Sequence, residues 1–590
     1  MQITRVEKNY LRMEFFLAPT FFGSIMRIEC VAQDQNAQDQ FYRQRSTVAV
    51  KALLRKPLPG IVLAIASVLG LGLGLAAPGT AATRKDVELQ VGVVQRFGSK
   101  ASDGLMLQAA TGDRLTFRFE TEGKPQTVTA TSAKLDVVQQ TLPEPNLQER
   151  VVLSTHRSFE SAEASANRWL AQGIPVEVAQ PERWQVWAKR DTYSNPLLRR
   201  LLLQSLQAQG MQTAYIDTQV LPQQPRASLV VNGYRYTRDR VEIRSSQGTI
   251  QVIQTSGDKK RTLYAGSLRL QPNTYGTYTL VNQVPLETYL RGVVPHEIGA
   301  WAVQPVLEVQ AILARTYVLR NVRRFAIDGY QLCADTQCQV YNGLTGAHPA
   351  TDRAIAATRG TVLTYNNELV DAVYSSSTGG ITAPFTDIWA GADRPYLRAV
   401  IDSVGQPWDL ARQNLADEKN FRRFISQTQG FNEVGASLFR WRVASRLEDL
   451  NRDVRRYLVT SKDPLANFKT IQRLEVTKRS PAGRVLNVRI TTDRGAFELV
   501  KDNILVALYA PNSTLFYVEP LYGPNKTLQG YSFVGGGFGH GVGLSQTGTY
   551  HLGKLGWSSD RILSFYYPGT QLRPISDAIT FWRGDQSNGG

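Results

Sequence analysis

LVNQVPLETYLRGVVPHEIGAWAVQPVLEVQAILARTYVLRN, residues 280–321, places a carboxylate, Glu297, in a turn between two apolar patterns. Before it comes the apolar run Tyr289, Leu290, Val293 and Val294. Pro295 sets the backbone just ahead of His296 and Glu297, so the following helix cannot simply extend backwards through them. Pro305 reads as a first-turn proline, and Val306, Val309, Leu313, Ala314 and Tyr317 follow at helical spacing. A carboxylate on a short turn walled by apolar side chains is a candidate for a raised pKa and for proton donation near neutral pH. The other reading is a helix N-terminal acid that complements the helix dipole.

Three later stretches add to it: LCADTQCQVYNG (332–343), YSSSTGGITA (374–383) and GGGFGHGVGLSQTGTYHLGKLGWSSDRILSFYYPGT (535–570). In this order, with LETYLRGVVPHE and QAILARTYVLRN, they resemble the SpoIID/LytB (sporulation stage II protein D) family from about Arg226 to Ile575. Four ordered matches carry far more than any single motif. The resemblance implies a peptidoglycan lytic transglycosylase whose acid is the glutamate of the V-V-P-x-E word, here Glu297. It implies a substrate cleft drawn from Arg315, Gln339, Tyr341, Ser375, Ser377, Gly379, Gly380, His540, Ser545 and Gln546. Arg315 has a second reading, as the partner of a core acid. His540, between Gly539 and Gly541 in a stretch with seven glycines in fourteen residues, also reads as a hydrogen-bonded structural histidine.

Two cysteines five positions apart, Cys333 and Cys338, can form a disulfide or share a metal. Some members of the family are expected to hold zinc with this pair and nearby histidines. Here Gln337 stands where one such histidine would fall, and no histidine lies between His296 and Cys333. A disulfide or a reduced pair is therefore expected over zinc, and no cofactor is expected.

Apolar content of 42% and charged content of 20% in 590 residues are those of a globular chain of several domains. The net charge of +17 suits a polyanion, and charge alone does not choose among nucleic acid, anionic lipid and wall polymer. The family resemblance points to peptidoglycan glycan strands, to a cooperating N-acetylmuramoyl-L-alanine amidase, and away from nucleic acid.

The expected fold class is α+β. Residues 1–50 read as a disordered extension, and 51–82, basic then apolar then small, as a signal peptide or membrane anchor, so that the protein is exported to the periplasm or cell wall. Residues 84–142 alternate as a small β module, and LPEPN (142–146) and LPQQP (221–225) read as linkers. Between them, 149–220 reads as a βαββαβ, ferredoxin-like module that resembles the sporulation-related glycan-binding repeat (SPOR). A β-rich catalytic domain covers 226–575, with 400–520 as an accessory segment. Two rival functions stay open: a non-catalytic amidase enhancer that binds peptidoglycan, and a hydrolase with a second acid such as Asp335, Asp387 or Asp393.

Overall fold

The helix Gln304–Arg320 runs through the largest apolar core, and all its residues from Val306 onward are buried except Glu308. Pro305 occupies its first turn, as the sequence predicts. The apolar stripe read from the sequence is only part of what it buries. A helix covered on every side is a core element, so its polar members need partners inside the protein. The computed structural model describes residues 86–211, 213–256 and 259–582. The expected extension (1–50) and the signal or anchor segment (51–82) lie outside the described residues. Among the described residues no helix is long and apolar enough to cross a membrane.

The architecture is strand-rich α+β. A seven-stranded sheet runs in the order Leu332–Cys333, Glu88–Phe97, Tyr278–Pro285, Ser267–Pro272, Val241–Ser245, Leu115–Thr121, Lys124–Ala130. An eight-stranded sheet joins Arg261–Ala265, Thr249–Gln254 and Gly104–Ala109 to the long strand Ser132–His156. This corrects the expected division. The stretch 84–142 is not a module by itself, because its strands alternate in both sheets with strands from 234–285. Leu89, Val91, Leu115 and Phe117 share one core with Leu280, Tyr289 and Val306. Alternation along the chain reveals each strand but not its partner, since any half-buried strand offers the same period.

The two linkers are also corrected. They face each other as an antiparallel ribbon within the long strands Ser132–His156 and Tyr215–Val231. The register passes from Thr141↔Gln223 to Asn146↔Leu221, so Pro143 and Pro145 sit in a bulge opposite Pro222. Prolines offer no N–H to a ladder, and the pairing breaks where they cluster. Beyond the ribbon, Trp184–Ala188 and Val176–Ala179 extend the sheet, with helices Phe159–Ala171 and Pro196–Ala208 between strands. The order is fourth, first, third, second with all neighbours antiparallel, the arrangement of a ferredoxin-like βαββαβ unit. Its core includes Trp184, which meets Phe325 of the central domain at 5.2 Å between ring centroids.

Residues 400–520 form amphipathic helices and one small sheet, and contribute strands to a second. One is Ile471–Arg479, Val485–Thr492 and Gly495–Val500. The other pairs Trp441–Arg446 and Phe516–Tyr522 with Leu528–Gly535, the strand that leads into the glycine-rich stretch.

Candidate active site

Glu297 lies on a single helical turn, Val294–Ile298, closed by Gly299 at φ 74°. Its side chain is partly buried. Oε1 accepts the Val340 backbone N–H at 2.8 Å, and the Tyr374 hydroxyl bonds to the same carboxyl group. Tyr374 in turn accepts Gln339 Nε2 at 3.3 Å, and Gln339 Oε1 accepts the Tyr289 hydroxyl at 3.1 Å. The carboxyl group thus ends a chain of tyrosine and amide groups, and no cation of the described residues pairs with it. Burial pushes its pKa up to about 7, against the two hydrogen bonds from Val340 and Tyr374, which favour the charged form. The acid is poised near neutrality because desolvation wins over two donors, not because a like charge repels it.

The site's backbone is held from the far end of the chain. On the helix Gln546–Lys554, Gln546 Nε2 donates to the Glu297 carbonyl at 2.9 Å, and one turn later the Tyr550 hydroxyl donates to the Ile298 carbonyl. Val340 is held through the cysteine loop. Leu332–Cys333 pairs in parallel with Val91–Gly92 at the edge of the seven-stranded sheet, and Cys333 is bonded to Cys338, two residues before Val340. Strand Glu88–Phe97 therefore supports the active site, a role that its sequence does not reveal.

Of the residues expected in the cleft, Gln339 and Gln546 are brought to Glu297 in this way. Tyr341 is 3% exposed and donates to Asn282 Oδ1 at 2.7 Å, inside the core. Arg315 is fully buried and forms a two-pronged pair with Glu287, at 2.8 and 2.7 Å. The substrate role for Arg315 is thereby corrected to the core role.

His540 does not touch Glu297. Its Nδ1 accepts the Val542 N–H at 3.0 Å, its ring lies 5.0 Å from that of Trp389, and it bonds to the Tyr374 backbone. Burial pushes its pKa down to about 4, so it is neutral at pH 7, with one nitrogen accepting and one donating. Among these contacts its one link to the acid's surroundings is the backbone of Tyr374, whose side-chain hydroxyl bonds to Glu297.

The Ser/Gly loop also has another task. Ser377 Oγ, the N–H and hydroxyl of Thr378, the N–H groups of Gly379 and Gly380, and Ser545 Oγ all converge on Glu433, which is fully buried. Arg484 and Arg440 hold the loop's carbonyls at Thr378, Ile381 and Gly379. Gly379 and Gly380 have φ of 74° and 86°, and a Cβ at Gly379 would lie 2.6 Å from the Gly536 carbonyl carbon. Beside Glu433, Asp402 accepts bonds from Tyr566 and Asn432, both at 2.8 Å; burial, then the Glu433 charge, pushes its pKa up. This loop is a scaffold wrapped around a buried acid and not a cleft wall, so Ser377, Gly379, Gly380 and Ser545 leave the list of substrate contacts. Ser375 is 6% exposed, and its hydroxyl has no hydrogen-bond partner among the described residues. Nothing periodic or motif-like marked Glu433 or Asp402, which lie in the segment read as accessory. Tyr374 and Val340, by contrast, stand inside two of the quoted motifs.

Cys333 and Cys338 are joined to each other, and among the described residues no group of three or more His, Cys, Asp or Glu side chains gathers beside them. Among the described residues no second carboxylate acts on Glu297; Asp387 instead faces Ser480, Arg484 and Lys501.

Residues 274–365, which include Glu297, the Gln304–Arg320 helix and the cysteine loop, match the family described as Stage II sporulation protein. Over these residues the chain carries a SpoIID-family domain. Residues 383–543 match a second family, described only as Domain of unknown function (DUF8618). That match covers both Asp402 and Glu433. The chain is 27% identical over 337 residues to the Stage II sporulation protein D of Bacillus subtilis (strain 168), covering 54% of this chain and 83% of that protein. It is 25% identical over 322 residues to the Stage II sporulation protein D of Bacillus amyloliquefaciens, covering 51% and 77%. It is 27% identical over 305 residues to the Amidase enhancer of Bacillus subtilis (strain 168), covering 48% of this chain and only two fifths, 40%, of that protein.

Proposed function

We propose that this protein is an exported lytic transglycosylase that cleaves peptidoglycan between N-acetylmuramic acid and N-acetylglucosamine, with Glu297 as its one acid and base. The observation that carries the reading is the poise of Glu297. Its pKa is pushed up to about 7, it has no ion-pair partner among the described residues, and one of its carboxyl oxygens is fixed by Val340. The protonated acid donates to the glycosidic oxygen as the bond breaks. The carboxylate then takes the proton of the C6 hydroxyl of N-acetylmuramic acid. That oxygen attacks C1 and closes a 1,6-anhydro ring. A nucleophile already within the sugar gains from proximity and needs no second carboxylate to activate water. The Val340 N–H and the Tyr374 hydroxyl stabilise the carboxylate between the two proton transfers, which is when their bonds are strongest. The strongly basic chain suits an anionic wall polymer.

Digestion of glycan strands stripped of their stem peptides by an amidase, followed by mass spectrometry, tests this directly. Anhydro ends that vanish in Glu297→Gln support the reading. Reducing ends would mean a hydrolase. The similarity to the Amidase enhancer favours a second reading, in which the protein binds glycan and stimulates an amidase without cutting. A lack of any product, together with faster amidase turnover on addition of the Glu297→Gln variant, would support that reading instead.

A further inference from the structure

Trp301 is 74% exposed, the most exposed of the large apolar side chains among the described residues. An aromatic side chain left in water this way is usually loose or serves an interface. This one is not loose. One face of its indole stacks on Tyr550, with centroids 4.7 Å apart and planes 17° from parallel. The ring also lies over Gly299: a Cβ there would come within 2.5 Å of the indole nitrogen, and the backbone at φ 74° is one that glycine accepts most readily. Tyr550 is held by its hydroxyl on the Ile298 carbonyl. The other indole face has no aromatic neighbour among the described residues.

The platform is tied to the acid at both ends. Trp301 follows Glu297 by four residues, across the Gly299 turn. Tyr550 follows Gln546 by one turn on the same face of the helix Gln546–Lys554, and Gln546 grips the Glu297 carbonyl. One helical turn is about 5.4 Å, roughly the span of a sugar ring.

From this we infer that the Trp301–Tyr550 pair is a sugar-binding subsite next to Glu297, on which the apolar C–H face of one pyranose ring of a glycan strand is laid. A pyranose in its chair form presents polar hydroxyls at its rim and a flat apolar face, the shape a fixed indole matches. Because the ring is ordered before binding, little side-chain entropy is lost when the sugar arrives. The inference rests on the glycan reading above, but it concerns binding and not bond cleavage.

The test measures binding without turnover. Full-length Glu297→Gln protein is titrated with oligosaccharides of N-acetylglucosamine and with stem-peptide-free glycan fragments, by calorimetry. Adding Trp301→Ala should weaken binding by about tenfold, as expected for loss of one aromatic stacking partner. Trp301→Phe should restore most of it. In the Glu297 protein, Trp301→Ala should raise KM while kcat stays close to its starting value. Affinity that changes less than twofold in both Trp301 variants, with KM unmoved, would overturn the subsite even if anhydro products form. Affinity that falls in Trp301→Ala while no cleavage is found in the parent would support the subsite and reject only the lytic activity. Trp301 is so exposed that its loss should leave the unfolding midpoint unchanged, which separates a binding defect from a folding defect.

Discussion

Replacing Glu297 by glutamine removes a group whose pKa rises from 4.5 to about 7 on folding. The folded state binds this proton more tightly than the unfolded state does. The stability that the proton provides is complete below about pH 4.5 and is lost as the pH rises through about 7. Integrating between these values, the carboxylate costs the fold about 1 kcal/mol at pH 5 and about 3 kcal/mol at pH 8, as upper figures for a side chain that keeps some solvent contact. Glutamine keeps one oxygen to accept from Val340 and never ionises. The variant should therefore be nearly as stable as the parent at pH 4 and more stable at pH 8. For a compact unit of about 500 residues, unfolding entropy scales to about 1 kcal/mol/K, so the gain in midpoint at pH 8 is about 3 °C. Differential scanning calorimetry of both proteins from pH 4 to 9 measures it. A midpoint difference that does not grow across pH 5–8, or one that favours the parent at pH 8, would refute the raised pKa and with it the poised acid. Activity gives the matching signature: the rate should fall about tenfold per pH unit above about 7, as the acid loses its proton.

Tyr374→Phe removes one donor that lowers the Glu297 pKa, so the alkaline limb of the pH–rate profile should move upward while kcat falls; an unmoved limb would count against the contact. Reducing Cys333–Cys338, or replacing both by serine, should cost about 2 kcal/mol for so short a loop, and by loosening Val340 it should shift the same limb in the same direction. Arg315→Ala should cost about 3–5 kcal/mol because Glu287 is left charged and buried, with KM for glycan unchanged in the protein that folds; Glu287→Gln with Arg315→Met should recover much of the loss in a denaturant melt. Glu433→Ala leaves six donors without their acceptor and should cost more than about 4 kcal/mol, seen as rapid proteolysis within 375–380, whereas a silent substitution would mean that the loop is held by Arg440 and Arg484 alone.

Glu297, its proline-fixed turn and the long helix that follows were all legible from the chain. Each depends on neighbours within a few residues: an apolar period and a proline without its N–H. The short motifs that hold Val340 and Tyr374 were visible as words, though their use was not. What the sequence could not state is which strand lies beside which, because every half-buried strand carries the same alternation. Only tertiary pairing places Glu88–Phe97 against Leu332–Cys333, and so beneath the active site. The same holds for buried charge. Arg315 and the serines around Gly379 look like substrate contacts because such residues usually face water. Here Glu287 and Glu433, 28 and 54 positions away from Arg315 and Gly379, satisfy them in the core. A polar side chain's role depends on the partner it meets when the chain has folded, and that partner is set by packing at long range.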